Sequence, residues 1–126
     1  MPDIETHKKT AENNFVVFKE LENSHPDWAI TVIFYAAVHK CEAVLFLRHG
    51  IHSDSHEIRE AYLKQMLGTE NYQHFYALKS ASIVGRYYGV DLFHKKYNSQ
   101  TIYKLFHHHW KHISAWADKQ LEKAIV

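Results

Sequence analysis

Arg86 and His94 carry side chains of the types that phosphate chemistry uses. Cutting RNA without a metal needs a base for the 2′-hydroxyl proton, an acid for the leaving oxygen and a cation for the charge that builds on phosphorus. Arg86 offers a planar fork that stays charged, His94 an imidazole that titrates near neutrality, and Asp91 a carboxylate between them. A structural role is open to the same groups. Arg86 stands near the end of a helical pattern, where a cation favours the carbonyl end of the dipole, and His94 falls in a less regular stretch.

Tyr35, His39 and Glu42 follow at steps of four and three, so they share one face of a helix. A phenol, an imidazole and a carboxylate in a row suit a site for a base or a phosphate, and suit a buried, mutually satisfied network equally well. His107, His108, His109 and His112 form the densest cluster of one titratable type. His108 and His112, four apart, have the spacing of two zinc ligands, and a third would come from His39, His56 or Glu42. His109 faces the apolar stripe of its helix while His108 and His112 flank it, so these histidines are expected to diverge over a His-rich surface. Cys41 sits mid-helix with no base beside it, which fits a packed, inert thiol. The chain has no phosphate-cradling glycine loop, nucleophile elbow or paired-cysteine zinc motif, and no cofactor is expected.

The elements that must position these groups are helices. Ile4, Lys8, Ala11, Phe15, Phe18 and Leu21 recur at helical spacing and predict a first amphipathic helix. Ser24 to Asp27, with Pro26 inside the first turn, opens a second. From Trp28 to Leu47 nearly every position is apolar, which predicts a central helix ended by Gly50. Ser53, Asp54 and Ser55 offer caps for a short third helix that stops near Gly68, and a fourth runs from Glu70 to Tyr88, its Ser82 and Gly85 letting a neighbour approach. Val90 to Tyr97 is the least regular segment. Asn98 or Ser99 then caps a last helix whose stripe is Ile102, Leu105, Phe106, His109, Ile113, Trp116, Ala117, Gln120 and Ala124. The expected architecture is an all-α, up-and-down bundle of four long helices and one short one, forming a single domain over residues 1–126.

Composition narrows the function. Four Gly and two Pro in 126 residues are too few turn formers for an all-β fold. A formal charge of +1 argues against bulk phosphate neutralisation, although it leaves room for local patches. Protonating all twelve His would raise that charge to +13, so it is sensitive to pH. The mostly apolar, uncharged stretch from Trp28 to His39 is shorter than the roughly 20 residues of a membrane span. With one cysteine and no signal-like opening, a cytoplasmic protein without membrane attachment is expected. Tyr72, Tyr76, Tyr87, Tyr88, Tyr97 and Tyr103, with Trp110 and Trp116, are expected mostly in the core or a dimer contact. Lys8-Lys9 and Lys95-Lys96 read as solvated pairs unless the second lies beside Arg86.

Phe34, Tyr35, Ala36 and His39, then Gly50 and Ser55-His56, resemble the aromatic-small-His helix and the following Ser-His of the HEPN superfamily. The segment Ser80 to Gly89 is similar to that family's Arg followed by an aromatic, here Arg86 and Tyr87. The resemblance covers roughly residues 10 to 124. It implies a helical bundle that dimerises and, in catalytic members, cuts RNA without metal using an Arg followed four to six residues later by a His. Arg86 and His94 have seven residues between them, Arg48 and His52 have three, and Arg59 has no His within reach downstream. The expectation is therefore a module that binds RNA or a nucleotide in a cleft near Arg86, His94, Tyr35, His39, Glu42 and Asp91, with degenerate or absent ribonuclease chemistry. The alternatives are a non-enzymatic dimer partnering a small nucleotidyltransferase, in the manner of a toxin–antitoxin pair, and a metal-binding bundle using His108 and His112.

Overall fold

A computed structural model describes residues 3–50 and 56–123, and every regular element among them is helical. The chain is an all-α bundle of α1 (Ile4–Leu21), α2 (Pro26–His49), α3 (His56–Ile83), α4 (Val90–Lys96), α5 (Ser99–Tyr103) and α6 (Trp110–Lys123). A π-helical turn, Val84–Tyr88, extends α3, and a second, Lys104–His109, carries α5 into α6.

Asp3 starts α1 by accepting the Thr6 backbone N–H at 2.9 Å. The buried face of α1 is His7, Ala11 and Phe18, so His7 takes the inward position that the spacing had assigned to Lys8. Pro26 opens α2 as expected, with His25 rather than Ser24 at the cap position. Gly50, at φ +67°, closes it and donates its N–H to the Phe46 carbonyl at 2.7 Å. α2 packs against α1, α3, α6 and both π turns, which makes it the centre of the bundle. In length and composition α2 is sufficient to cross a bilayer, but 67% of its most apolar window is buried inside the protein, as a core helix requires. Its first turn departs from the all-round apolar reading: Trp28 is 59% exposed.

Gly68, at φ +76°, breaks α3 where the third and fourth helices were expected to divide. The proposed caps at Ser53, Asp54 and Ser55 lie outside the described residues, as does the Ala124 end of the last stripe. Gly85 lies against the start of α2: a Cβ there would stand 2.7 Å from the Asp27 carbonyl oxygen, so only glycine fits without a shift.

Two stretches differ from the sequence reading. Val90 to Tyr97 is not irregular but contains α4, held by Phe93, which is fully buried. The last helix starts under Asn98, whose side chain accepts the Thr101 N–H at 2.9 Å, and it is interrupted by the second π turn. There the Trp110 N–H reaches back five residues to the Leu105 carbonyl. The extra residue rotates the following face. Trp110 is therefore buried with Phe106, Ile113 and Ala117, and His109 slips to the edge of the stripe.

Candidate functional site

Arg86 lies in the first π turn, beside the contact that Gly85 makes with the start of α2. Single π turns inside helices recur at functional sites because they re-aim side chains. Here the turn directs Arg86 at α2: its Nη1 donates to the Tyr35 hydroxyl at 2.6 Å, and its Nε to the Ser82 carbonyl at 3.4 Å. The guanidinium carbon lies 5.4 Å from the Tyr35 ring centre and 5.1 Å from that of Tyr87, within the range of cation–π attraction. Among the described residues no carboxylate pairs with Arg86. A cation aimed by a phenol and flanked by rings can meet an external anion with its remaining N–H groups. Tyr87 and Tyr88, which follow it in the chain, are 72% and 64% exposed.

His94 and Asp91 are both exposed on α4. The His94 ring meets Phe93 edge-on, and the residue lines a groove with Asn23, Pro26, Tyr97, Tyr103 and His107. Arg86 is not part of that lining. The structure thus joins Arg86 to Tyr35, and among the described contacts none joins it to His94 or Asp91. Lys95 and Lys96 are exposed on the last turn of α4.

The row on α2 is divided among three neighbours. Tyr35 meets Arg86, His39 meets His7 with their Nδ1 atoms 3.0 Å apart, and Glu42 accepts from Arg59 Nε at 3.0 Å. Between His7 and His39 one ring must carry the Nδ1 proton and the other accept it. Glu42 is 5% exposed, so the lower part of the row is a buried network rather than one wall of an open cleft. Burial holds the His39 imidazole below its ordinary 6.5, with the Arg59 charge acting the same way and the Glu42 charge opposing it. As pH falls, the unfolded chain takes this proton first, so stability present above about pH 6.5 is lost on acidification toward the folded value. In urea titrations at about pH 7 and about pH 5, a His39→Leu protein is expected to lose less stability between the two than the parent. Equal losses would remove His39 from the cause.

Among the described residues, the third neighbour of His108 and His112 is neither His39 nor Glu42. His39 and Glu42 are engaged elsewhere, and the side chain of His56 lies outside the described residues. The third imidazole is His74, from α3, and one ligand nitrogen of each of the three lies within 4.8 Å of the others. His74 also touches His109, Nδ1 to Nδ1 at 2.9 Å, so histidines expected to diverge gather around one ring. Sequence reasoning missed His74 because nothing local marks it: it precedes the buried Phe75 on a helix whose facing partner is 34 residues away. The same holds for His7.

Cys41 is fully buried, and its thiol is pushed up to about 12 by burial, with the Glu42 charge adding to the effect, which agrees with an inert packed group. Of the tyrosines and tryptophans expected in core or interface, Tyr72, Tyr97, Trp110 and Trp116 belong to or pack on the core, whereas Tyr76, Tyr87, Tyr88 and Tyr103 are more than half exposed. The Ser55-His56 part of the HEPN resemblance falls outside the residues whose side chains are described. Comparison with protein-family models, with curated proteins and with solved structures finds no match for this chain. The likeness to HEPN proteins therefore stands on the residues of the chain itself.

Proposed function

We propose that this protein is a HEPN-like module that binds a nucleotide or a short single-stranded RNA at Arg86 and does not cut it. The observation that carries this reading is the 2.6 Å hydrogen bond from Arg86 to Tyr35, which unites the two segments bearing the resemblance although 51 residues separate them. With one edge held by Tyr35, the guanidinium has N–H groups left for phosphate oxygens. Tyr87 and Tyr88 offer faces on which bases stack, a contribution of about 1–3 kcal/mol per base. The absence of cleavage is supported by the engagement of Arg86 with Tyr35 and Ser82, while His94 lines a different groove. The single buried thiol fits a reducing cytoplasm.

Fluorescence anisotropy with a labelled oligoribonucleotide of about eight bases, competed by free mononucleotides and run in EDTA, tests this. Arg86→Ala is expected to weaken binding at least about tenfold, and Tyr35→Phe by less, with helicity unchanged and the RNA intact on a gel. An Arg86→Ala protein that binds as the parent does would sink the proposal. RNA cleaved in EDTA by the parent, and spared by His94→Ala, would instead establish a ribonuclease.

The second reading, a dimeric module that accompanies a nucleotidyltransferase, is favoured by a specific feature. Trp28, Tyr87, Tyr88, Val90 and Leu92 are all exposed around the start of α2 and the first π turn. Apolar groups so arranged are the kind that a second copy or a partner covers. Sedimentation of the pure protein as a monomer at tens of micromolar would count against the homodimer.

A further inference from the structure

The histidine cluster between α3 and α6 is independent of the Arg86 site and shares no residue with it. His74 is half-buried near the middle of α3, while His108 and His112 are exposed on the second π turn and the first turn of α6. The His74 and His112 rings stack at 4.3 Å with 6° between their planes, and His108 stands edge-on to both, at 5.2 Å from His74 and 4.7 Å from His112. Two helices thus hold three imidazoles with a ligand nitrogen of each inside 4.8 Å. Around a tetrahedral zinc at 2.0–2.1 Å the nitrogens would stand roughly 3.3 Å apart, a closure within reach of χ rotations of two exposed side chains.

A metal-ligating histidine generally donates its other ring N–H to a fixed acceptor. His109 stands where that acceptor is needed, with its Nδ1 at 2.9 Å from the Nδ1 of His74. A His74 that donates there keeps its Nε2 free of a proton, as a ligand nitrogen must be. His109 accepts that bond through an Nδ1 that carries no proton. Beside the cluster runs a groove of about 300 Å³ lined by His107, His108, Lys111, His112 and Ala115.

We propose that His74, His108 and His112 bind one divalent transition-metal ion, zinc in preference, that clamps α3 to α6 and leaves a coordination position open to this groove. An all-imidazole set suits zinc, nickel and copper and does not suit magnesium or calcium, which take oxygen ligands. Three protein ligands with one position left over is the donor number of open zinc centres.

The test is calorimetric titration of the full, untagged, EDTA-stripped chain with Zn²⁺, with Co²⁺ absorption as a spectroscopic readout. The expected result is one equivalent per chain, with tetrahedral Co²⁺ bands. His74→Gln, His108→Gln and His112→Gln should each weaken binding at least about tenfold, with unchanged far-UV dichroism, while His25→Gln binds as the parent does. His109→Leu should weaken it and His109→Gln, which retains an acceptor, should restore it. If His74→Gln binds as tightly as the parent while the other two lose binding, the site is only an exposed pair one helical turn apart and the proposal is overturned. It is equally overturned if none of the three variants changes the titration.

Discussion

Arg59→Met is expected to destabilise the fold by about 3 kcal/mol, lowering the unfolding temperature by roughly 10 °C. Arg59 and Glu42 bond at 3.0 Å with side chains only 16% and 6% exposed, so water does little to support either charge. Removing the guanidinium leaves a buried carboxylate without that cation, and the loss is dominated by the desolvation of the charge that stays behind. The same reasoning predicts that Arg59→Met combined with Glu42→Gln recovers much of the loss, because two neutral groups of similar volume replace the pair. A urea-denaturation cycle of the two single variants and the double variant measures this coupling. A cost below about 0.5 kcal/mol in the single Arg59 variant would show that the pair behaves as a surface contact. His39, one turn from Glu42, also feels the Arg59 charge, so its imidazole should titrate higher once that charge is gone.

Phe93→Ala is expected to cost about 3 kcal/mol, and with it the attachment of α4. Seven residues are too few to form a stable helix alone, so α4 depends on its docking. Phe93 is the one residue of α4 that is buried; its ring lies 5.1 Å from that of Tyr97, and it belongs to the main core cluster. Truncation removes the contacts of a whole ring and leaves a cavity under a segment with no other buried residue. Amide hydrogen exchange should accelerate across residues 90–97 more than in α2, and thermal unfolding should fall by roughly 10 °C. Protection of α4 as in the parent would show that some other contact holds it.

These two residues differ in how visible they are in the sequence. Phe93 stands out as an aromatic, but the segment around it carries too few periodic positions to announce a helix, and its regularity comes from where the ring docks. Arg59 looks like an ordinary exposed charge on its helix, and although Glu42 reads as one of a row suited to a site or a buried network, only the proximity of α2 and α3 pairs it with Arg59. The Tyr35, His39 and Glu42 row was legible as a shared face, since i to i+4 geometry is local. What each member touches was not, because every partner comes from another helix. The divergence expected of the last helix's histidines failed for a further local reason: the π turn over Lys104–His109 adds a residue to one turn and rotates all that follows, and no residue type there forbids an ordinary α-helix.

By itself the sequence determined the class of fold and most of its punctuation. Gly50, Gly68 and Gly89 all adopt positive φ where helices were expected to end, Asn98 caps the last helical stretch, and the apolar run of α2 lies at the centre. These are consequences of steric limits and burial that act within a few residues of chain. Only the tertiary structure decided that Arg86 reaches Tyr35, that His74 completes a cluster with His108 and His112, and that His7 meets His39. Each such meeting joins residues more than 30 positions apart through the packing angle and rotation of two helices, which depend on the fit of the whole core rather than on any local pattern.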